Sequence, residues 1–434
     1  MFVCENISVN SKGHLCFAGQ DTVELAEKYG APLYLYDEER LRFNIRKYKN
    51  ALREAFGDRA DVLFASKAAS FRQIYRIASE EDIGIDAVSP GEIYTASSAG
   101  FDMSRAFFHG NAKTDEDIRY GIKEKIGYFV TDNLDELYAL DRIAGEESVC
   151  QKLVLRITPG IDTHTYEAVN TGKVDSKFGC AIETGQAEEL LLAAIKCKNV
   201  KVCGFHCHVG SQVFGEDVFE RAAAIMLAFI ADMQKKHGFV SEILDLGGGY
   251  GVRYVDSDPY LDIPAKIASV AAAIKKSCAE LGIAVPFICL EPGRGIVADA
   301  GMTLYRAQSV KRIPGYKNYV AIDGGMTDNP RFALYKSKYT VLPADNMNAD
   351  RPFICTVAGR CCESGDLIQE GVALPDSTGR GSLIAVCTTG AYNYSMSSNY
   401  NRVARPPVIM LTSAAGSYVA VARETFADIA KNDI

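Results

Sequence analysis

The chain has 434 residues, 48% of them hydrophobic and 24% charged, enough for a large apolar core and unlike a disordered or low-complexity polymer. Its 47 basic and 55 acidic residues leave a formal charge of −8 with no basic stripe, which argues against nucleic acid as a partner. The longest apolar run, 222–231, is too short to span a bilayer, and the first ten residues lack the basic-then-apolar pattern of an export signal, so a cytoplasmic protein without a membrane partner is expected, its 13 cysteines free thiols.

In chain order, two short strands are predicted at 7–10 and 15–18, around a turn at 11–13. A hairpin that small is marginal alone and is expected to join a larger β domain. From about residue 60 to 295, β-rich runs alternate with amphipathic segments. The strands are predicted at 61–67, 84–89, 105–110, 128–132, 152–158, 201–209, 242–247 and 286–291. Helical periodicity appears at 72–81, 115–123, 133–143, 188–197 and 218–237. Eight strands with helical crossovers predict a parallel (β/α)8 TIM barrel. After Arg294 the pattern turns to strand-like runs at 304–313, 318–323, 339–342, 353–359, 382–388, 408–411 and 418–421, separated by turns. They predict a second, antiparallel β domain. The expected organisation is a barrel over 31–295, inserted between the two parts of a β domain, 1–30 plus 296–434.

Barrel enzymes carry their chemistry at the carboxyl ends of the strands. Those ends hold Lys67, Asp86, His109, Asp132, Arg156, His208, Gly247-Gly248-Gly249 and Glu291, an ionisable side chain or a glycine run at every one. Lys67 follows the apolar stretch Phe64-Ala65-Ser66. It reads either as a partly desolvated, nucleophilic amine or as a lysine reaching from a strand end to solvent. The glycine run lacks the spacing of a dinucleotide fingerprint and reads as a phosphate cradle or as a tight turn. Glu291-Pro292-Gly293-Arg294 ends the eighth strand, so this turn and the glycine run occupy the two loops that often bind phosphate in such barrels. As a carboxylate expected to be buried, Glu291 needs a positive partner. On a strand, His206 and His208 would point the same way, a weak metal pair with no local carboxylate, and no metal is expected. Cys361-Cys362-Glu363-Ser364-Gly365-Asp366 is neither a zinc spacing nor a common disulfide, and reads as turn residues or as a thiol acid beside a carboxylate.

Taken together, these motifs resemble the diaminopimelate decarboxylases, pyridoxal 5′-phosphate enzymes of the alanine-racemase fold. The resemblance runs over nearly the whole chain. It rests on Phe64-Ala65-Ser66-Lys67-Ala68, Gly110-Asn111-Ala112-Lys113, Ser176-Lys177-Phe178-Gly179, His206-Cys207-His208-Val209-Gly210-Ser211-Gln212, the glycine run and Glu291-Pro292-Gly293-Arg294. Further on it rests on Arg331 with Leu334-Tyr335, Cys362-Glu363-Ser364 with Asp366, and Gly390-Ala391-Tyr392 with Asn399-Tyr400-Asn401. Two positions depart from the family pattern: Ala69 stands where it usually has Asn, and Phe332 where it usually has Pro.

The resemblance implies roles. Lys67 would attach the cofactor, His208 would stack on its ring, and Glu291 would pair with the ring nitrogen. Asp86, Ser211, Gly247, Gly248, Gly249, Pro292, Gly293, Arg294 and Tyr392 would complete the cofactor site. Arg294, Arg331 and Tyr335, with Tyr392, would hold the distal end of the substrate, and Glu363 would accept its distal ammonium. Cys362 would return a proton to the α-carbon. The implied reaction is decarboxylation of meso-2,6-diaminopimelate at its D-centre to L-lysine and CO2, the last step of lysine biosynthesis. The implied assembly is a homodimer whose sites are completed by Cys362 and Glu363 of the second subunit. The competing readings are a related decarboxylase of carboxynorspermidine, arginine or ornithine, a racemase, and a non-catalytic relative. Arg331 with Tyr335 favours an amino-acid distal end, a carboxylate at 291 speaks against a racemase, and Lys67 with Cys362 speaks against lost catalysis.

Overall fold

The computed structural model describes residues 3–161, 175–215, 217–414 and 416–434, which fall into two compact units. One comprises Ile45–Gly251 and Leu261–Gly295; the other comprises Met1–Asn44, Val252–Tyr260 and Ile296–Ile434.

The first unit is a closed barrel. Its parallel strands are Ala60–Ala65, Gly84–Ala87, Ala106–Phe108, Tyr128–Thr131, Gln151–Thr158, Val200–His206, Ile243–Asp245 and Phe287–Leu290. Each pairs with the next, and Ile288 pairs with Ala60 to close the ring. All eight predicted strands are present, all but Gln151–Thr158 slightly shorter than the run that announced them. The helices begin where the sequence supplies caps. Ser89 accepts from the Glu92 N–H ahead of Pro90–Ser98, Thr114 and Asp117 form a capping box for Asp115–Lys123, and Asp262 caps Ile263–Leu281. Gly238 and Gly282, both left-handed, end the two longest crossover helices, Val218–His237 and Ile263–Leu281.

The barrel interior has two storeys. Leu63, Phe107, Val130, Val154, Cys203, Ile243 and Cys289 form one apolar cluster, a residue from nearly every strand. Alternation along a strand then puts the residue two positions on at the same face, nearer the carboxyl end. Five of those residues are polar, His109 after Phe107, Asp132 after Val130, Arg156 after Val154, Asp245 after Ile243 and Glu291 after Cys289, whereas Leu63 is followed by Ala65. The sixth strand breaks the count. A register shift between Val202 and Gly204 leaves Cys203 as an extra residue, so His206, three positions on, supplies the polar group there.

The second unit contains a nine-stranded sheet and a separate three-stranded sheet. The path of the larger one runs Leu367–Leu374, Phe353–Ala358, Asn318–Ile322, Gly301–Arg312, Leu33–Asp37, Val408–Thr412, Gly416–Val421, with Leu383–Cys387 and Val341–Pro343 branching from Gly301–Arg312. Three expectations are corrected. The sheet is mixed rather than antiparallel throughout, because Leu33–Asp37 runs parallel to Val408–Thr412 and Asn318–Ile322 parallel to Phe353–Ala358. The boundary expected at residue 31 falls later, since Leu33–Asp37 pairs with Gly301–Arg312 inside this sheet. Strand Leu367–Leu374 was not predicted; its central Gln369-Glu370-Gly371 interrupts the apolar pattern at a sheet edge. The N-terminal hairpin forms its own sheet, Ile7–Val9, Leu15–Phe17 and Gln20–Asp21, yet Ile7, Leu15 and Phe17 share a core with Leu35, Leu304 and Ile409.

Candidate active site

Lys67 lies on a single 3-10 turn, Ser66–Ala68, immediately after the first barrel strand. Its side chain is exposed, so the desolvation expected from its apolar context is not found in the chain itself. It stands within electrostatic reach of Asp86, Glu92 and His208. Asp86 is buried, which raises its carboxyl against the opposing pull of His109, and its Oδ1 has no hydrogen-bond partner among the described residues.

The centre of the polar storey is Glu291. It is buried, and among the described residues its hydrogen-bond partners are two histidines. His109 Nε2 lies 2.6 Å from Oε1 and His206 Nε2 lies 3.1 Å from Oε2. The two rings meet edge to face, 4.8 Å apart at 73°. Burial alone would push the Glu291 carboxyl up, but the two histidines overcome it and hold the group well below the usual carboxylate range. Burial and the neighbouring Glu291 charge drive Asp245 well above that range. Burial lowers His206 to about 3, leaving it neutral. His109, His206 and Glu291 offer ligand atoms within 4.8 Å of one another. The 2.6 Å contact is that of a hydrogen bond between ring N–H and carboxylate, which fills the place a cation would need. The weak pairing of His206 with His208 is thereby corrected: the strand ends at His206, and the ring turns to His109 instead.

His208 sits beyond that strand end. Its Nδ1 faces the Gly248 N–H at 3.3 Å and so accepts, which requires a neutral ring with its proton on Nε2. Burial, with the positive charges of Lys67 and Arg156, holds His208 well below the usual imidazole range.

The glycine run follows from close packing. A Cβ on Gly248 would lie 2.1 Å from the Glu291 carbonyl oxygen, and one on Gly249, at φ +109°, would lie 2.0 Å from that of Gly210. Two of its N–H groups are already used: Gly247 donates to Asp245 Oδ1 at 2.8 Å and Gly248 to His208. Among the described hydrogen bonds none uses the Gly249 N–H. Arg294 donates from Nη2 to Ser211 Oγ at 2.9 Å, joining the loops after the sixth and eighth strands. Lys67, Asp86, His208, Ser211, Gly247–Gly249 and Glu291–Arg294 thus all belong to the carboxyl end of one barrel.

The other predicted residues lie in the β unit. Arg331 is buried; its guanidinium donates to Tyr339 Oη at 2.8 Å and Ser337 Oγ at 3.2 Å and lies over the rings of Tyr254 and Tyr339. Burial opposes its charge, but Tyr254, Tyr339 and Tyr392 favour it, and among the described residues no carboxylate pairs with it. Tyr335 ends the same short helix, Arg331–Tyr335, and Tyr392 holds a left-handed φ of +60°. Cys362 and Glu363 lie exposed on one turn, anchored through Asp366, whose Oδ2 accepts from the Cys361 N–H at 2.7 Å and Oδ1 from Met326 N–H at 2.6 Å.

Sequence reasoning gave no role to His109, His206 and Asp245. The signal was available in the two-residue offset from an apolar strand position, except at His206, where the irregularity at Cys203 hides it.

The chemistry of this donor set fits a pyridine ring carrying a phosphate and an aldehyde: an exposed lysine amine, a neutral imidazole beside it, an ionised buried carboxylate, and packed glycine and arginine loops. Residues 42–298 match the family of the pyridoxal-dependent decarboxylase, pyridoxal binding domain. Fold and site therefore define a pyridoxal-dependent decarboxylase. Diaminopimelate decarboxylases from Bacillus subtilis (strain 168) and Staphylococcus aureus (strain COL) are 40% and 41% identical to the chain, over 100% and 98% of its length and 98% and 99% of theirs. The crystal structure of the diaminopimelate decarboxylase from M. jannaschii in complex with L-lysine matches at a TM-score of 0.91 and 31% identity, covering 100% of this chain and 99% of that one. The chain belongs to the diaminopimelate decarboxylase family, carboxy-lyases with pyridoxal phosphate as cofactor.

Proposed function

We propose that this protein removes CO2 from the D-centre of meso-2,6-diaminopimelate and releases L-lysine. The observation that carries this reading is its likeness, at 40% identity over the whole chain, to a diaminopimelate decarboxylase. Bound pyridoxal phosphate supplies an electron sink for the pair left behind when CO2 departs.

The residues divide the work as follows. The Lys67 amine would hold the cofactor through its aldehyde. His208, neutral and fixed through Nδ1, would pack on the ring, and Glu291, held by His109, would face the ring nitrogen as a carboxylate. Asp86 lines the same pocket. Ser211, Gly249, the 292–294 loop and Tyr392 hold the phosphate, while Gly247 and Gly248 shape the loop. Arg331, buried with neutral hydroxyl partners, supplies an unneutralised charge for the distal carboxylate, with Arg294, Tyr335 and Tyr392 beside it in role. Glu363 takes the distal ammonium, and the Cys362 thiol returns the proton to the α-carbon. The exposure of Cys362 and Glu363 in the single chain supports a homodimer in which they serve the partner's site. The absence, among the described residues, of a helix long and apolar enough to cross a membrane is consistent with a cytoplasmic location.

The test is CO2 release from the purified, cofactor-loaded protein offered meso- and LL-diaminopimelate, ornithine, arginine and carboxynorspermidine in parallel. Turnover of the meso compound alone, with lysine as product, is expected. Preference for ornithine, arginine or carboxynorspermidine would overturn the assignment.

A further inference from the structure

Glu291 is gripped from two sides by imidazole rings. His109 and His206 come from different strands and each presents Nε2 to a different carboxylate oxygen. The Nδ1 of His206 is buried without a partner among the described residues. A second proton on that ring would be a buried N–H with no acceptor, so the single proton sits on Nε2, aimed at Glu291. A lysine or arginine in the place of either histidine would also fix the carboxylate, but would cancel its charge. The neutral His206 N–H fixes its direction and leaves its charge in place. The remaining carboxyl in contact, Asp245, ends the neighbouring strand with Oδ1 receiving the Gly247 N–H.

Resting on the pyridoxal-dependent reading above, we propose that His109 and His206 are positioning residues that lock Glu291 as a carboxylate facing the cofactor's ring nitrogen, while Asp245 keeps the proton. The groups facing it are accounted for. Arg156 leans toward Asp132, 3.9 Å away, and Asp86, His208 and Lys67 complete the surrounding charges. Burial and the Glu291 charge raise Asp245 well above the usual carboxylate range; its Oδ1 accepts the Gly247 N–H, and its Oδ2 is buried with no hydrogen-bond partner among the described residues.

The experiment loads the enzyme with pyridoxal phosphate labelled with 15N in the ring and reads the protonation of that nitrogen by NMR between pH 6 and 9. Wild type is expected to show a protonated nitrogen throughout. His206→Leu and His109→Leu, which remove a donor, are expected to shift the nitrogen toward the unprotonated position and to lower kcat by about tenfold or more, the equivalent of one pKa unit, with KM within about twofold. His206→Gln, which restores an N–H donor, is expected to recover most of both. Glu291→Gln separates the two ideas. If it leaves the ring nitrogen protonated, the underlying assignment of Glu291 fails. If it deprotonates the nitrogen while both leucine variants do not, the assignment stands and the histidine clamp is overturned. Should the leucine variants not fold, infrared difference spectra of wild type against Asp245→Asn decide the matter. The carbonyl stretch of a protonated carboxylic acid, present in wild type at pH 7 and lost in the variant, supports the proposal, and its absence from wild type sinks it.

Discussion

Arg294 Nη2 and Ser211 Oγ, 83 residues apart in sequence, lie 2.9 Å from each other. Because the guanidinium can only donate, the serine oxygen accepts, and its own proton is left to point at another acceptor. A phosphate oxygen is the acceptor the proposed site supplies. Ser211→Ala should therefore loosen both the loop and the cofactor, by about 1.5–3 kcal/mol, or roughly ten- to a hundredfold in cofactor affinity. Loss of visible absorbance on dialysis measures it; an unchanged dissociation constant would remove Ser211 from the phosphate site.

Lys67→Ala should abolish turnover while leaving a folded protein that binds free pyridoxal phosphate weakly. The Lys67 side chain is exposed between the buried Ser66 and Ala68, so its loss should cost chemistry far more than stability. Borohydride reduction of the loaded variant should trap no cofactor. A trapped, covalently labelled variant would show that another lysine makes the linkage.

The shared-site dimer predicts complementation. Lys67→Ala and Cys362→Ala subunits, each inactive, are mixed and allowed to exchange. Half of the dimers become mixed, and each of these holds one site with both wild-type groups, so about a quarter of wild-type activity should return. No recovery after demonstrated exchange would place Cys362 in the site of its own chain.

Lys113 Nζ is buried and donates to Glu136 Oε1 at 2.7 Å, to Gly110 O at 2.8 Å and to Val130 O at 3.0 Å, tying together the loops that carry His109 and Asp132. Lys113→Met leaves the Glu136 carboxylate buried and unpaired, at a cost of about 3–5 kcal/mol. The double variant Lys113→Met/Glu136→Leu should recover much of that loss. Urea midpoints for the four proteins of the cycle test it, and strict additivity would mean that the two residues do not act as a pair.

Acid should destabilise the barrel through His206. Buried and neutral, it is held at about 3, below its usual 6.5. Between those values the unfolded chain binds a proton that the native chain refuses, so stability is complete above about pH 6.5 and falls as pH drops toward 3. The full interval amounts to about 5 kcal/mol. In His206→Gln the unfolding free energy should depend on pH more weakly in this window, by up to one proton. An unchanged slope would show that His206 is not the group responsible.

The barrel, its eight strands, several of its helices and the strand ends where ionisable groups gather were legible in the amino-acid sequence. These are local matters: alternation, apolar periodicity and caps such as Thr114 and Asp262 act within a few residues. Lys67, Asp86, His208 and Glu291 were legible for the same reason, as polar residues ending apolar runs. The tertiary structure decided which of them meet. That Glu291 answers to His109, 182 residues away, depends on barrel closure, which no single run encodes. His206 reaches the same carboxylate because one extra residue at Cys203 advances the strand by a position, a displacement that alternation alone cannot reveal. Leu33–Asp37 likewise looks like the start of the barrel domain, yet its pairing with Gly301–Arg312 assigns it to the other unit, because the edge it satisfies lies more than 260 residues further along the chain.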